Sequence, residues 1–475
     1  MTRRKASNSG QRAWKKFIKE SRRKKKKRER KSAFYRHVYN IIATAKANGK
    51  EFTVPPYKQF GREFHYQAKV RPELSDDIKF LAEKTEAFDR SAMRMPPNGV
   101  FRVPEVFSLT QNPNESFLFL KRLFVAFYKD LCKTIVLDYK YCETLDIDAQ
   151  MCLDIMLSEF LDYYHTCQKR KIKTRFRKFE PQNFSKTAVV KILFSIASFA
   201  NIGRTLVAVP GIVPFHLIQG DNFDSRAGAE REKEVTRMVD YIVERCAEMN
   251  HTLSWQDLNR LSKVLGEILG NAGEHSQRRY RYAVGYFEKK RVGEVEHGIF
   301  NFAILSFGRT IYETFKLREQ EGWHVISLMK ELSHKYTRRM LFFPGKFEEE
   351  TLWTLYALQE GVTSVQGKKR GNGSINFIES FFSLKGDMAN DHLSSLTIMS
   401  GNTRIVFDGE YQIVEKSRGP GEEPFKMMTF NESESIEDKP DEKYVTFADN
   451  FFPGTLITAK ICINFNRIEN NNSHG

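Results

Sequence analysis

Three polar side chains recur at helical spacing in the middle of the chain. Glu267, Asn271 and His275 are each four residues apart, so on a helix they share one face. The residues around them, 255–276, are apolar at the positions that would turn toward a core and predict such a helix. A carboxylate on the polar face can accept a proton from water or from a hydroxyl group. The alternative is an amphipathic helix whose polar face is only solvated.

The same segment contains three glycines and a start signal. Ser254 or Asp257 is expected to begin the helix. Gly266, Gly270 and Gly273 lie inside or beside it, and each interior glycine costs roughly 1 kcal/mol relative to alanine. We therefore expect the glycines to let another group approach the helix backbone closely.

The pattern Glu-x-x-x-Asn-Ala-x-x-His resembles the N box of the GHKL ATPases, in the form most similar to the anti-sigma-factor serine kinases. The resemblance implies that Asn271 coordinates Mg²⁺ and that Glu267 is the base that activates the attacking group. It also places His275 in the ATP-binding set. These residue types suit the chemistry, because Mg²⁺ takes oxygen ligands from protein and phosphate, and a carboxylate can act as a base.

A second motif follows two predicted strands. Ser306, Gly308 and Ile311 resemble, in order, the GHKL pattern Asp-x-Gly-x-Gly-Ile, with Ser306 in place of the Asp and Thr310 in place of the second Gly. In that family the Asp recognises the adenine amino group. A serine hydroxyl can accept the same hydrogen bond, but less strongly than a carboxylate. The alternative is a strand-to-helix turn that needs only Gly308.

Two further glycine motifs complete the resemblance. Gly371 and Gly373 precede an apolar run and are expected to open a helix, where free backbone amides suit phosphate. Lys369 adds positive charge beside them. Thr455 follows Gly454 and resembles the last GHKL box, whose Thr lies near the base. The resemblance therefore implies ATP and Mg²⁺ as ligands.

An earlier segment resembles a different family. Residues 135–157 read as a strand, a loop with Asp146, and a helix, which is similar to a STAS domain, the anti-sigma-factor antagonist fold. In that family a serine at the position of Asp148 is phosphorylated, and a serine kinase cannot phosphorylate Asp148. The alternative is that both aspartates are only loop and helix-capping residues.

The 475 residues allow two or three domains. Strands and helices alternate along 95–218, which indicates an α/β layer. We predict an α/β and α+β protein in which a STAS-like α/β domain precedes a GHKL (Bergerat-type) α/β sandwich. The predicted ranges are a basic arm at 1–50, a connector at 51–94, the STAS-like domain at 95–218, the GHKL-like domain at 222–466 and a polar tail at 467–475.

The net charge of +17 is concentrated at one end of the chain. Residues 1–36 hold 17 lysines and arginines against two glutamates. Such an arm suits nucleic acid or another polyanion, or serves as a solubilising tail. The six cysteines lack metal-type spacing and indicate reduced thiols. Without a secretory signal or a long apolar run, the sequence predicts a cytoplasmic protein without a membrane segment.

These features predict an ATP-binding protein with slow Mg²⁺-dependent hydrolysis that acts as a conformational switch in bacterial regulation or defence, with a possible partner protein. One alternative is a serine/threonine kinase of the anti-sigma type. Another is a non-catalytic nucleotide sensor or nucleic-acid-binding module.

Overall fold

The computed structural model divides the chain into two compact units, Met1–Pro72 with His165–Lys173, and Glu73–Tyr164 with Thr174–Gly475. The structure describes residues 19–24, 72–86, 95–184, 186–196, 198, 209–250, 252–292, 295–319, 324–337, 348–362, 373–385, 394–417 and 424–463. In the first unit the described residues before position 73 include a helical segment at 19–24. The predicted basic arm, the connector and the polar tail therefore lie mostly outside the described residues.

The N-terminal layer of the second unit contains the parallel strands. Its helices are α1 (Asp76–Glu86), α2 (Pro113–Tyr128), α3 (Ile147–Lys169, of which the residues up to Tyr164 belong to this unit) and α4 (Thr187–Ser195). Its strands are β1 (Val100–Arg102), β2 (Val106–Phe107), β3 (Thr134–Asp138), β4 (Thr144–Leu145) and β5 (Lys178–Gln182). The order β1-β3-β5 forms a parallel sheet, and β2 pairs with β4, also in parallel. In β3, residues 135–138 are all buried, as expected for a parallel strand covered on both faces.

The rest of the second unit contains a larger antiparallel sheet. Its strands are β6 (Ile212–Asp221), β7 (Tyr280–Val292), β8 (Val295–Phe307), β9 (Ser395–Phe407) and β12 (Val445–Ile463), in the order β6-β7-β8-β12-β9, beside a small hairpin of β10 (Val414–Lys416) and β11 (Phe425–Met427). Its helices are α5 (Ala227–Ala247), α6 (Trp255–Ser276), α7 (Ile311–Lys316), α8 (His324–Thr337), α9 (Glu349–Ala357) and α10 (Gly373–Lys385). All pairs in the five-stranded sheet are antiparallel.

Both faces of this sheet are buried. In β8, Phe302 and Ile304 pack into one core with α5, α6, α9 and α10. The alternate residues Ala303 and Leu305 pack into a second core with the N-terminal layer. Successive side chains of a strand point to opposite faces, so one apolar strand contributes to both cores. The second unit therefore has three layers, with the antiparallel sheet in the middle.

The observed class is the predicted mixture of α and β, with both parallel and antiparallel sheets. One element lies in a different sheet from the rest of its predicted domain. Most of β6 falls inside the range 95–218, yet β6 pairs with β7 at the edge of the antiparallel sheet. None of the described helices combines the length and the apolar character needed to cross a membrane.

A buried ion pair holds α5 on this sheet. Arg281 of β7 donates to Glu234 Oε2 from Nε at 3.1 Å and from Nη2 at 2.7 Å, and both residues are buried. Arg281 Nη1 also donates to Asn222 Oδ1 at 2.6 Å. A Cβ atom on Gly220 would lie 2.5 Å from the guanidinium carbon. Gly220 therefore leaves the space that the arginine head occupies.

Candidate functional site

The helix that carries Glu267 and Asn271 has the predicted bounds. α6 spans Trp255–Ser276, and Ser254 Oγ accepts a hydrogen bond from Asp257 N at 3.1 Å, so Ser254 is the N-cap. The apolar residues face the core, Glu267 is exposed and Asn271 is half-buried. His275 lies on the same helix, but its side chain is outside the described part of the chain.

Two glycines of α6, Gly266 and Gly270, make no close contact with the described chain. At Gly266 no heavy atom of the described chain would lie within 4 Å of an added Cβ. At Gly270 the nearest atom is Nη1 of Arg231, at an ordinary van der Waals distance of 3.7 Å. At 100° per residue, Gly266 lies about 100° around the helix from Glu267, whereas Gly270, three residues after Glu267, lies within about 60° of it. The expected tight contact is therefore absent at these two positions.

A glycine does allow a close contact at the turn after β8. Gly308 N donates to Pro453 O at 3.1 Å, and Arg309 N donates to Ser276 O at 3.2 Å. Gly308 has φ +131°, and a Cβ there would lie 2.0 Å from Ser276 O. The turn therefore sits directly on the end of α6. This contact brings the second motif to the helix that carries Asn271, although about 30 residues separate them in the chain.

The departure from the GHKL pattern at Thr310 has a local structural reason. Thr310 Oγ1 accepts from Glu313 N at 3.0 Å, and Glu313 Oε2 accepts from Thr310 N at 3.0 Å. This reciprocal capping box begins α7. A glycine at position 310 would have no hydroxyl to accept the hydrogen bond from Glu313 N.

Three hydroxyl groups lie side by side on neighbouring strands, and we call them the hydroxyl row: Ser306 of β8, Thr455 of β12 and Ser400 of β9. Thr455 is the cross-strand partner of both serines. Ser400 Oγ lies 3.0 Å from Thr455 Oγ1 and accepts from Ile311 N at 2.9 Å. Ser306 and Ser400 are buried, whereas Thr455 is half-buried. The row lies on the face of the sheet that α6 covers, beside the Gly308 turn.

Sequence reasoning missed Ser400, and it also missed a carboxylate close to it. Glu350 of α9 accepts from Asn402 N at 2.7 Å through Oε1, and Gly401 (φ +60°) has no Cβ to obstruct that oxygen. Burial, with smaller contributions from the charges of Glu313 and Glu348, raises the pKa of Glu350 to about 6. The hydrogen bond from Asn402 acts in the opposite direction. Glu350 is one of several charged residues at the start of α9, and nothing in the sequence distinguishes it as the one that is removed from solvent.

The glycine motif for which the sequence predicts phosphate binding is only partly described. Gly373 is the first residue of α10, as expected for a glycine that opens a helix, and α10 shares a core with α6. Lys369 and Gly371 lie outside the described residues. Within the described ranges, no group of three or more His, Cys, Asp or Glu side chains could hold a metal ion. Asn271 offers one oxygen, which fits the habit of Mg²⁺ of keeping water and phosphate as its other ligands.

The aspartates of the STAS-like motif lie inside the N-terminal layer. Asp148, in the first turn of α3, is buried and accepts from Leu109 N at 3.2 Å and Thr110 N at 3.1 Å. Burial, with a smaller contribution from Asp146, raises the pKa of Asp148 to about 7. Asp148 therefore ties the loop after β2 to the start of α3. These bonds give Asp148 a structural role within the layer.

The described geometry thus brings together the end of α6, the Gly308 turn and the hydroxyl row with Thr455. Comparisons with family models, with curated proteins and with solved structures give no match. The argument for function therefore depends on the residues themselves.

Proposed function

We propose that the protein binds ATP with Mg²⁺ and hydrolyses it slowly, as a conformational switch. One observation carries the proposal: motif residues far apart in the chain converge at the end of α6. Ser276 O accepts from Arg309 N next to Gly308, and Gly308 N donates to the residue before Gly454. A turn that needs only a glycine would not have to meet the helix of Asn271 and the strand of Thr455.

Each residue then has a role that its position supports. Asn271 holds Mg²⁺, which neutralises phosphate charge. Glu267, exposed on the same side of α6, orients or deprotonates the attacking water. Thr455 is the half-buried member of the hydroxyl row and offers its hydroxyl to the base. The amides at the start of α10, from Gly373, face phosphate.

The first test separates binding from turnover. Glu267→Gln keeps the size and the hydrogen bonding of the side chain but removes the base. General-base contributions are about 10²–10⁴-fold in rate, so single-turnover hydrolysis should slow at least roughly tenfold while equilibrium binding of ATP stays nearly unchanged. Glu232→Gln makes the same change at an exposed position of α5 and should alter neither quantity.

Two results would contradict these roles. Unchanged hydrolysis in the Glu267 variant would mean that this carboxylate is only part of a solvated face. Asn271→Ala should abolish the Mg²⁺ dependence of binding, and a binding curve that ignores the change would place the metal elsewhere. A dissociation constant of about 1 mM corresponds to a binding free energy of about −4 kcal/mol. If the full chain does not bind ATP with Mg²⁺ at about that nucleotide concentration, the proposal fails.

A non-catalytic nucleotide sensor is the second candidate. Ser306 replaces the base-reading Asp, and its side chain is only 2% exposed. A buried hydroxyl is a weaker reader of a base than an accessible carboxylate. ATP binding without any hydrolysis by the parent protein would favour this function.

A further inference from the structure

Basic side chains gather where two parallel strands of the N-terminal layer begin. In the sequence, seven of the ten residues at 169–178 are lysine or arginine, and none is acidic. The part of this run at 174–178 belongs to the second unit and leads into β5, and the loop at 129–133 leads into β3. Arg177 N donates to Lys133 O at 2.8 Å, just before the pairing of β3 with β5. The two segments therefore lie side by side at the edge of the parallel sheet where its strands start.

In both segments the basic side chains point outward. Phe176 is buried and packs against the rings of Phe127 and Tyr164, whereas its neighbours Arg175 and Arg177 are exposed. The lysines at the two ends of the 129–133 loop are exposed as well. We call these four side chains the basic edge: Lys129, Lys133, Arg175 and Arg177.

Neighbouring carboxylates do not form ion pairs with the basic edge. Asp130 lies within it, but its oxygens accept from Arg175 N at 2.5 Å and from Phe176 N at 2.7 Å, so this carboxylate serves the backbone. Glu180 is paired with Lys178, which is not a member of the basic edge. Within the described residues, the four members form no ion pair with a carboxylate. Exposed cations that repel one another and lack a local partner attract a polyanion.

We propose that the basic edge binds the phosphate backbone of a nucleic acid without reading its bases. Contacts of lysine and arginine with phosphates supply most of such sequence-independent affinity. A membrane surface would call for exposed apolar side chains that insert between lipids, and a protein partner would call for an apolar centre. Here Phe176 is turned into the core, and Tyr128, the exposed residue before Lys129, is aromatic, so a base can stack on it. Nucleic acid is therefore the polyanion that fits this edge.

Salt dependence tests the proposal on the full chain without nucleotide. Binding to a labelled mixed-sequence DNA duplex is followed by fluorescence anisotropy at several salt concentrations between about 50 and 200 mM, and the series is repeated with one strand alone. The slope of log affinity against log salt counts the phosphates that the protein neutralises, at about 0.9 per phosphate on a duplex and about 0.7 on a single strand. A residue that only stabilises the fold would not change this slope.

A double variant then isolates the basic edge. Lys133→Gln with Arg175→Gln removes two charges and should weaken duplex binding at least roughly tenfold at about 50 mM salt. It should also reduce the slope by about 1.8 on the duplex and by about 1.4 on the single strand. Lys263→Gln with Arg237→Gln is the matched control, because it removes one lysine and one arginine that are exposed on α6 and α5, and it should change neither quantity. Lys129→Gln with Lys133→Gln repeats the test if the first pair has lost stability in urea unfolding.

Three results would overturn the proposal: no nucleic-acid binding at about 50 mM salt, slopes in both edge variants that equal the slope of the control variant, or weaker binding of the edge variants to anionic phosphatidylserine vesicles but not to DNA. The second result would assign the binding to residues 1–36, which are unchanged in every variant. The third would make the basic edge a membrane contact. None of these measurements involves ATP, so their failure would leave the proposed nucleotide function unaffected.

Discussion

The same added methyl group should have opposite effects on stability at two glycines near the candidate site. Gly266 lies in the interior of α6, where no heavy atom of the described chain would contact a Cβ within 4 Å. Gly308 has φ +131°, and its Cβ would lie 2.0 Å from Ser276 O and 2.9 Å from Ser276 C. We therefore expect Gly266→Ala to stabilise the fold and Gly308→Ala to destabilise it.

The magnitudes follow from these surroundings. An interior helical glycine costs about 0.5–1 kcal/mol relative to alanine, so Gly266→Ala should raise the free energy of unfolding by about that amount. At Gly308, a non-glycine residue in a sparsely populated backbone region costs about 1–3 kcal/mol. The overlap with Ser276 adds about 1–3 kcal/mol more. The two variants should therefore differ by about 3 kcal/mol or more.

Urea unfolding of both variants and the parent, with far-UV circular dichroism, measures the difference. ATP binding to the same proteins supplies a functional readout. Gly308→Ala should weaken ATP binding because the turn can no longer sit on the end of α6, whereas Gly266→Ala should leave it unchanged. If Gly308→Ala is as stable as the parent, the turn does not pack on Ser276 as described. If Gly266→Ala weakens ATP binding, the ligand approaches the other side of α6.

Two further predictions concern buried charge. Burial raises the pKa of Glu350 to about 6, so the folded state loses stability as pH rises from about 4.5 to about 6. Glu350→Gln should therefore raise the free energy of unfolding by up to about 2 kcal/mol at pH 8 but not at pH 4, and an equal effect in urea unfolding at both pH values would contradict this. Arg281→Met and Glu234→Met should each cost about 3–5 kcal/mol, because each leaves a buried charge unpaired. In urea unfolding the double variant should lose less than the sum, and additive losses would mean that the two side chains do not interact.

The sequence predicted those features that depend on neighbouring residues. The bounds of α6 follow from the apolar period and from Ser254, a local N-cap. The start of α10 at Gly373 follows from a glycine before an apolar run. The sequence alone allowed Gly308 to be explained by a strand-to-helix turn, and the φ angle of that residue explains the need for glycine there. For α6 and α10 the determining interactions lie within a few residues along the chain, whereas Gly308 also contacts Ser276, which is distant in the chain.

The features that the sequence did not predict depend on strand order. Ser400 joins the hydroxyl row because β12 lies between β8 and β9, although Ser400 is about 90 residues from Ser306. Glu350 is half-buried because α9 packs near the turn at Gly401. Lys133 and Arg177 are far apart in the chain and become neighbours because β3 pairs with β5. Contacts between elements that are distant in the chain cannot be predicted from the hydrophobic periodicity of one segment.

The two faces of the antiparallel sheet also determine how the proposed function can be tested. A fragment limited to the predicted range 222–466 would lack β6, which pairs with β7. It would also expose the sheet face where Leu305 and Leu456 pack against the N-terminal layer. Tyr282 OH would lose its hydrogen bond to the buried Asp77 Oδ2 of α1, at 2.9 Å. Because apolar burial is the main stabilising contribution to a fold, such a fragment should be unstable whether or not the site binds ATP. Only the full chain can therefore separate an absent nucleotide site from an unfolded one.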